Sequence, residues 1–314
     1  SETMAVYPGD KNNLPYDVLV ERLHIEEPEP PAPVAEPEKT FEEVLDEHPV
    51  SIQVNGQWQT FPNARAAEEA AYGEYKDNLR RTAENFRITD DHLGEGGPKA
   101  KFQANIAAIK LLKYLEETTE QATPEQQKIL SRYVGWGGLA DAFDPEKPAW
   151  AAEYTQLKEL LTPEEYTAAR GSTLNAHYTS PTVIRAIYET VGRMGFETGN
   201  ILEPSCGVGN FFGMLPEKMR NSHLYGVELD PVSGRIAKQL YPKADITVGG
   251  FETTDRRDFF DLAIGNVPFG QYQVNDKAYN KLNFNIHNYF FAKALDQVRP
   301  GGVVAFVTSR YTMD

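Results

Sequence analysis

The first patterned stretch of the chain is residues 51–61, SIQVNGQWQTF, where apolar and polar residues alternate around Asn55-Gly56. Alternation of period two broken by Asn-Gly predicts two antiparallel strands joined by a two-residue turn. The period then changes. Residues 64–81 are alanine-rich, and Phe102, Ile106, Ile109, Leu112 and Leu115 recur at helical spacing on one face. Thr123-Pro124-Glu125 and Thr162-Pro163-Glu164-Glu165 each set a Thr N-cap before a Pro at the first helical position, with acids in the first turn. Residues 64–170 therefore read as a helical region. Within it, Tyr133-Val134-Gly135-Trp136-Gly137-Gly138-Leu139 suits a tight turn in which an aromatic plugs a core, with a ligand loop as the alternative. From residue 171 strands and helices alternate: a helix from Ser180-Pro181 to about Met194, strands at 200–203, 224–229, 246–248, 262–264 and 303–307, a helix to Leu240 and another over 289–298. This order predicts an α/β fold, a doubly wound, mostly parallel sheet preceded by a mainly helical N-terminal region. Ligands of such sheets sit beyond the C-terminal ends of the strands.

Composition adds boundaries. Residues 26–39, EEPEPPAPVAEPEK, interleave proline with acid and lack periodicity, so residues 1–50 are expected as an acidic, largely disordered segment. Residues 51–170 follow as hairpin and helices, and 171–314 as the sheet domain. The net charge of −15 is uneven: residues 1–50 hold 13 acids and 3 bases, whereas residues 171–314 hold 14 of each. The sheet domain is thus neutral and does not repel a polyanion. The longest apolar run is the five residues 303–307, well short of the roughly 20 that cross a bilayer. With no basic and apolar leader either, a cytoplasmic protein without membrane contact is expected. The single cysteine, Cys206, excludes an internal disulfide framework and a cysteine-built zinc site, and the six histidines show no ligand spacing, so no metal is expected.

The candidate chemistry lies at strand ends. In Ile201-Leu202-Glu203-Pro204-Ser205-Cys206-Gly207-Val208-Gly209 an apolar strand ends in a carboxylate and runs through two glycines towards a helix. Glycines let the backbone approach a ligand closely, and Glu203 can accept a hydrogen bond from a ligand cation or hydroxyl. A plain tight βα turn is the alternative. Glu228 ends the next strand, 19 residues after Gly209, where an acid can hold a ribose diol. Together they indicate a nucleoside cofactor without saying which one.

The stretch Asp261-Leu262-Ala263-Ile264-Gly265-Asn266-Val267-Pro268-Phe269-Gly270 ends a strand in Asn-x-Pro-aromatic. It resembles the fourth motif, Asn-Pro-Pro-Tyr or Asn-Pro-Pro-Phe, of the amino-methylating DNA methyltransferases that use S-adenosylmethionine. The resemblance implies that the Asn266 side-chain oxygen and the Val267 carbonyl accept the two N–H bonds of an adenine amine and favour a pyramidal, attacking nitrogen. Pro268 would hold Val267 extended, and Phe269 would stack on a base flipped from the helix. The remaining motifs follow the order of the gamma-type N6-adenine methyltransferases. His177-Tyr178-Thr179-Ser180-Pro181 looks like their leading Tyr-Thr-Pro element, in which Thr179, next to Tyr178, would bind the methionine carboxylate. Residues 203–209 are similar to their Asp/Glu-Pro-x-Cys-Gly-x-Gly loop, which makes Glu203, Pro204, Ser205, Cys206, Gly207 and Gly209 candidate cofactor contacts. Glu228 would then hold the ribose, and Leu229 beside it is a further candidate cofactor contact. Gly249-Gly250-Phe251 aligns with a Gly-Asp-Phe element whose acid meets the cofactor's adenine amine; Gly250 stands in the place of that acid, and Glu252 is the candidate substitute.

Residues 133–143 together with 175–314 look like the methylase module of the very large methylase-helicase proteins of conjugative elements and phages. The resemblance implies a Rossmann-like methyltransferase sheet, S-adenosylmethionine as cofactor, DNA as substrate and a helicase region of the same longer polypeptide as partner. Adenine-N6 methylation of DNA is the reading expected. A cofactor- or DNA-binding module serving a helicase without methylating, and a protein-glutamine methyltransferase, are the alternatives.

Overall fold

The structure, a computed structural model, describes residues 47–90, 92, 94–173 and 179–308 of the 314. Most of the expected disordered segment, residues 1–46, lies outside the described residues, as do His177 and Tyr178. Contacts divide the chain into two compact units that part between Arg81 and Thr82.

In the first unit, strands β1 (Val50–Val54) and β2 (Gln57–Phe61) pair antiparallel, Val50 opposite Phe61 and Val54 opposite Gln57. Asn55 and Gly56 take φ of 52° and 74°, the doubly left-handed two-residue turn expected from Asn-Gly. Val50, Ile52 and Val54 point to one side and bury against Ala64 and Ala67 of helix α1 (Ala64–Thr82).

The second unit begins with helices α2 (Pro98–Glu117), α3 (Pro124–Leu130), α4 (Ala151–Leu160), α5 (Pro163–Ser172) and α6 (Pro181–Arg193). Thr123 and Thr162 each close a capping box, with Gln126 and Glu165 returning the hydrogen bond. A five-stranded parallel sheet follows, of β3 (Asn200–Glu203), β4 (His223–Glu228), β5 (Asp245–Val248), β6 (Phe260–Asn266) and β7 (Val298–Val307), in the order β5-β4-β3-β6-β7. Helices α7 (Asn210–Gly213), α8 (Pro231–Leu240) and α9 (Ile286–Gln297) connect the strands.

Alternation along the central strands divides the core between the sheet's two faces. Ile201, Leu262 and Ile264 join a cluster with Phe102, Ile109 and Leu112 of α2, Tyr188 of α6 and Ile236 of α8. Leu202 and Ala263 join the other, with Tyr289, Phe290 and Ala294 of α9. The helices from Pro98 onward thus share one core with the sheet, whereas the hairpin and most of α1 belong to the first unit. Each fully buried Leu, Ile or Phe in such a core contributes about 1.5–3 kcal/mol.

Two elements differ from the sequence expectation. The helix after the glycine turn is a single turn, α7, because Pro216 follows closely and cannot continue it. The run Arg299-Pro300-Gly301-Gly302, expected to end a helix in a loop, already belongs to β7. Val298 pairs with Phe260 and Val303 with Leu262, so the extra residues form a bulge. Pro300 fits there because β7 is an edge strand and Pro has no N–H to offer the ladder.

Candidate functional site

Strands β3 and β6 lie side by side at the point where chain order reverses across the sheet. Their C-terminal ends, with those of β4 and β5, open on one cavity of about 470 Å³. It is lined by Thr179, Glu203, Pro204, Ser205, Cys206 and Gly207, by Glu228 and Leu229, by Phe251 and Glu252, and by Asn266, Val267, Pro268 and Phe269. Tyr178 lies outside the described residues. Gly209 does not line the cavity but shapes the turn behind it: its φ is 82°, and a Cβ there would fall on the Tyr241 ring.

The two carboxylates differ in surroundings. Glu203 is 2% exposed, and its Oε2 has no hydrogen-bond partner among the described residues. Burial, then the neighbouring Glu228 charge, pushes its carboxyl well above the ordinary range. Glu228 Oε2 accepts the Gly207 N–H at 2.7 Å, and its Oε1 accepts the Asp230 N–H at 2.7 Å. Enclosure nevertheless lifts it to about 7. Asp230 Oδ2 caps α8 by accepting the Ser233 N–H at 2.8 Å, and its Oδ1 is buried without a partner. A buried Glu203 with one unpaired oxygen, beside the backbone-held Glu228 carboxylate on one cavity wall, suits a ligand that brings a cation and hydroxyl donors. Burial, Glu203 and Glu228 together raise the Cys206 thiol, so it is a small buried side chain and not a nucleophile.

On the β6 side the Ser205 hydroxyl donates to the Asn266 carbonyl at 2.8 Å, tying the loops after β3 and β6 together. Val267 N–H donates to the Val307 carbonyl at 3.2 Å, and its side chain is buried. Phe251 is buried against Phe290, ring centroids 5.1 Å apart. Leu229, 73% exposed, stands at the mouth. The Glu252 carboxylate occupies the space that a Cβ on Gly250 would take. A carboxylate therefore stands beside residue 250 although residue 250 carries none.

The segment returning from Phe269 to α9 is fixed by a buried ion pair. Asp276 Oδ2 accepts from Lys293 Nζ at 2.8 Å and from the Tyr289 hydroxyl at 2.9 Å. Lys293 also sits 5.2 Å from the centre of the Phe251 ring. Burial works against the Asp276 charge, yet the hydrogen bonds from Lys293 and Tyr289 hold its carboxyl below the ordinary value.

Sequence reasoning ranks a core plug ahead of a ligand loop at residues 133–139. Tyr133, Val134 and Gly135 line the cavity from the helical region, while Trp136, 1% exposed, plugs the core. Core plug and cavity lining thus fall on consecutive residues of one motif. Tyr272, 48% exposed, lines the cavity three residues beyond Phe269. Its ring lies where a Cβ on Gly270 would be.

No family model matches the chain. It is 28% identical over 220 residues to the Defense against restriction protein B of Escherichia phage P1, an alignment covering 68% of this chain and 8% of that protein. It is 42% identical over 83 residues to the type II methyltransferase M.CvrRI of Paramecium bursaria Chlorella virus XZ-6E, covering 26% of this chain and 21% of that protein. Over 166 residues it is 27% identical to the type II methyltransferase M.TthHB8I of Thermus thermophilus, covering 47% and 37%. The chain spans well under half the length of these relatives. The resemblance to S-adenosylmethionine-dependent methyltransferases stands with these relatives. The cavity's chemistry fits that cofactor: its cationic methionine end suits the unpaired Glu203 oxygen, and its ribose hydroxyls suit Glu228.

Proposed function

We propose that the chain is the methyl-transfer module of a DNA adenine-N6 methyltransferase. One observation carries this reading: Asn266, Val267, Pro268 and Phe269 open on the same cavity as Glu203 and Glu228. The acceptor amine is thereby brought against the donor without a covalent enzyme intermediate. When bound, S-adenosylmethionine supplies an electrophilic methyl group on a sulfonium.

The chain's residues supply position and polarity. Thr179 would bind the carboxylate end of the donor, with Tyr178 beside it in sequence as a further candidate, and Glu203 would accept from its cation. The backbone at Pro204, Ser205, Cys206 and Gly207 follows it, with Gly209 setting the turn. Glu228 accepts from the ribose diol. Phe251 would pack on the purine ring, with Leu229 a further contact, and the Glu252 carboxylate would accept from its amine in place of an acid at 250. Asn266 Oδ1 and the Val267 carbonyl accept the two N–H bonds of the acceptor amine, which frees its lone pair for in-line attack. Phe269 stacks on the flipped base, and the amine proton leaves to solvent. The match to a small part of a very long phage protein supports a module within a longer polypeptide, with a helicase region as its partner.

Calorimetric titration with S-adenosylmethionine, alongside radiolabelled methyl transfer to adenine-containing DNA, tests the reading. Binding, N6-methyladenine as product and loss of at least about a hundredfold in rate in Asn266→Ala are expected. Binding without transfer to any DNA would favour a module that serves a helicase without methylating. Label recovered in a glutamine amide would move the acceptor from DNA to protein.

A further inference from the structure

The helices of residues 98–172 provide part of the cavity wall through Tyr133, Val134, Gly135 and Ser172. That loop is held from behind by one residue. Asn105 of α2 is fully buried; its Nδ2 donates to the Gly135 carbonyl at 2.6 Å, and its Oδ1 accepts the Val134 N–H at 2.9 Å. A buried amide satisfied on both sides fixes the two peptide groups it binds. Trp136 anchors the next position, edge-on to Phe102, Tyr133 and Phe143.

The scaffold behind the loop is joined to the sheet's own helix. Arg235 of α8 reaches Glu116 of α2 and Glu165 of α5. Gln127 of α3 donates to the carbonyls of Glu84, Gln239 and Leu240. Since α8 starts just after Asp230, the loop and the end of β4 are parts of one framework. Tyr133 lies at that end of the cavity: burial and then the Asp230 carboxylate lift its phenol well above the ordinary value. The half-buried Val134 and the Gly135 backbone form this part of the wall, on the same cavity as Glu228.

We propose that residues 133–135 form the second, fixed wall of the methyl-donor site, closing on its nucleoside half, and that Asn105 is the positioning residue of that wall. The inference rests on the reading of the cavity as the S-adenosylmethionine site. It gives the helical region a task in donor binding.

The test measures S-adenosylmethionine affinity of the full chain and three variants by calorimetry, with thermal denaturation of each. Asn105→Ala is expected to bind on the order of tenfold more weakly, raising the donor KM while kcat stays within about twofold. Asn200→Ala removes a hydrogen bond to the Phe259 carbonyl at the opposite ends of the strands, away from the cavity and its scaffold, so it should melt earlier with unchanged affinity. Val134→Phe leaves the Asn105 clamp intact and fills space at the wall, and it too should weaken binding; it decides the matter if Asn105→Ala does not fold. Parent-like affinity in Asn105→Ala and Val134→Phe would overturn this inference alone. No binding by the parent would overturn the donor reading and this inference with it.

Discussion

At Glu228 two demands meet. Backbone N–H groups of Gly207 and Asp230 favour its charge, enclosure opposes it, and the balance leaves its carboxyl at about 7. A carboxyl raised in the fold stabilises the protein at low pH and loses that contribution as pH rises through the folded value. Glu203 is shifted in the same direction. The melting temperature of the ligand-free protein is therefore expected to fall between about pH 5 and 8. Glu228→Gln should flatten that slope. A cationic ligand favours the ionised pair, so the stabilisation by S-adenosylmethionine should grow across the same window. Ser205→Ala removes the hydrogen bond to the Asn266 carbonyl; methyl transfer should slow several-fold, about 1 kcal/mol, with little change in melting. Sequence made Glu203, Glu228 and Asn266 visible because each ends a strand, and strand ends of such a sheet face one way. Tyr133 and Gly135 were harder to see: almost a hundred residues separate them from Glu228 on the same cavity, and Trp136 gave the motif an equally good reason to exist as a core plug. Resemblance pointed to Glu252, but nothing local told that its carboxylate folds back over Gly250.

Among elements, the turn from β3 into α7 and the segment leading to α9 hold the two sides of the site. Gly209→Ala places a side chain in a left-handed conformation and against the Tyr241 ring. It should cost about 2–4 kcal/mol, read by urea denaturation, from backbone strain and overpacking together. Lys293→Met leaves Asp276 buried without its cation, for an expected loss of about 3–5 kcal/mol. Replacing both residues with apolar ones should recover much of that loss. The capped helices and the hairpin were legible because a Thr-Pro cap and Asn-Gly are local signals. The start of β7 was not, since Pro-Gly-Gly ends elements in most contexts, and only its edge position lets the strand carry a bulge there.

For the whole molecule, the decisive fact is the core that α2 and α3 share with α8 and the sheet. A polypeptide beginning at Thr82 should keep one cooperative melt, whereas one beginning at Thr179 should bind a hydrophobic dye and lose it, because Ile236, Tyr188 and Phe211 lose their neighbours. The alternating strands and helices of the sequence foretold the sheet, but not that the preceding helices would share its core. No periodicity records which apolar face meets which. The same arrangement has a consequence for the growing chain. Gln127 is made 113 residues before Leu240, whose carbonyl it binds. At about 5–20 residues per second the interval is roughly 6–23 s. Until β3 to β6 have been translated, the face of α2 bearing Phe102, Ile109 and Leu112 has no complete sheet to cover it, which makes the nascent helices the natural client of a holding chaperone.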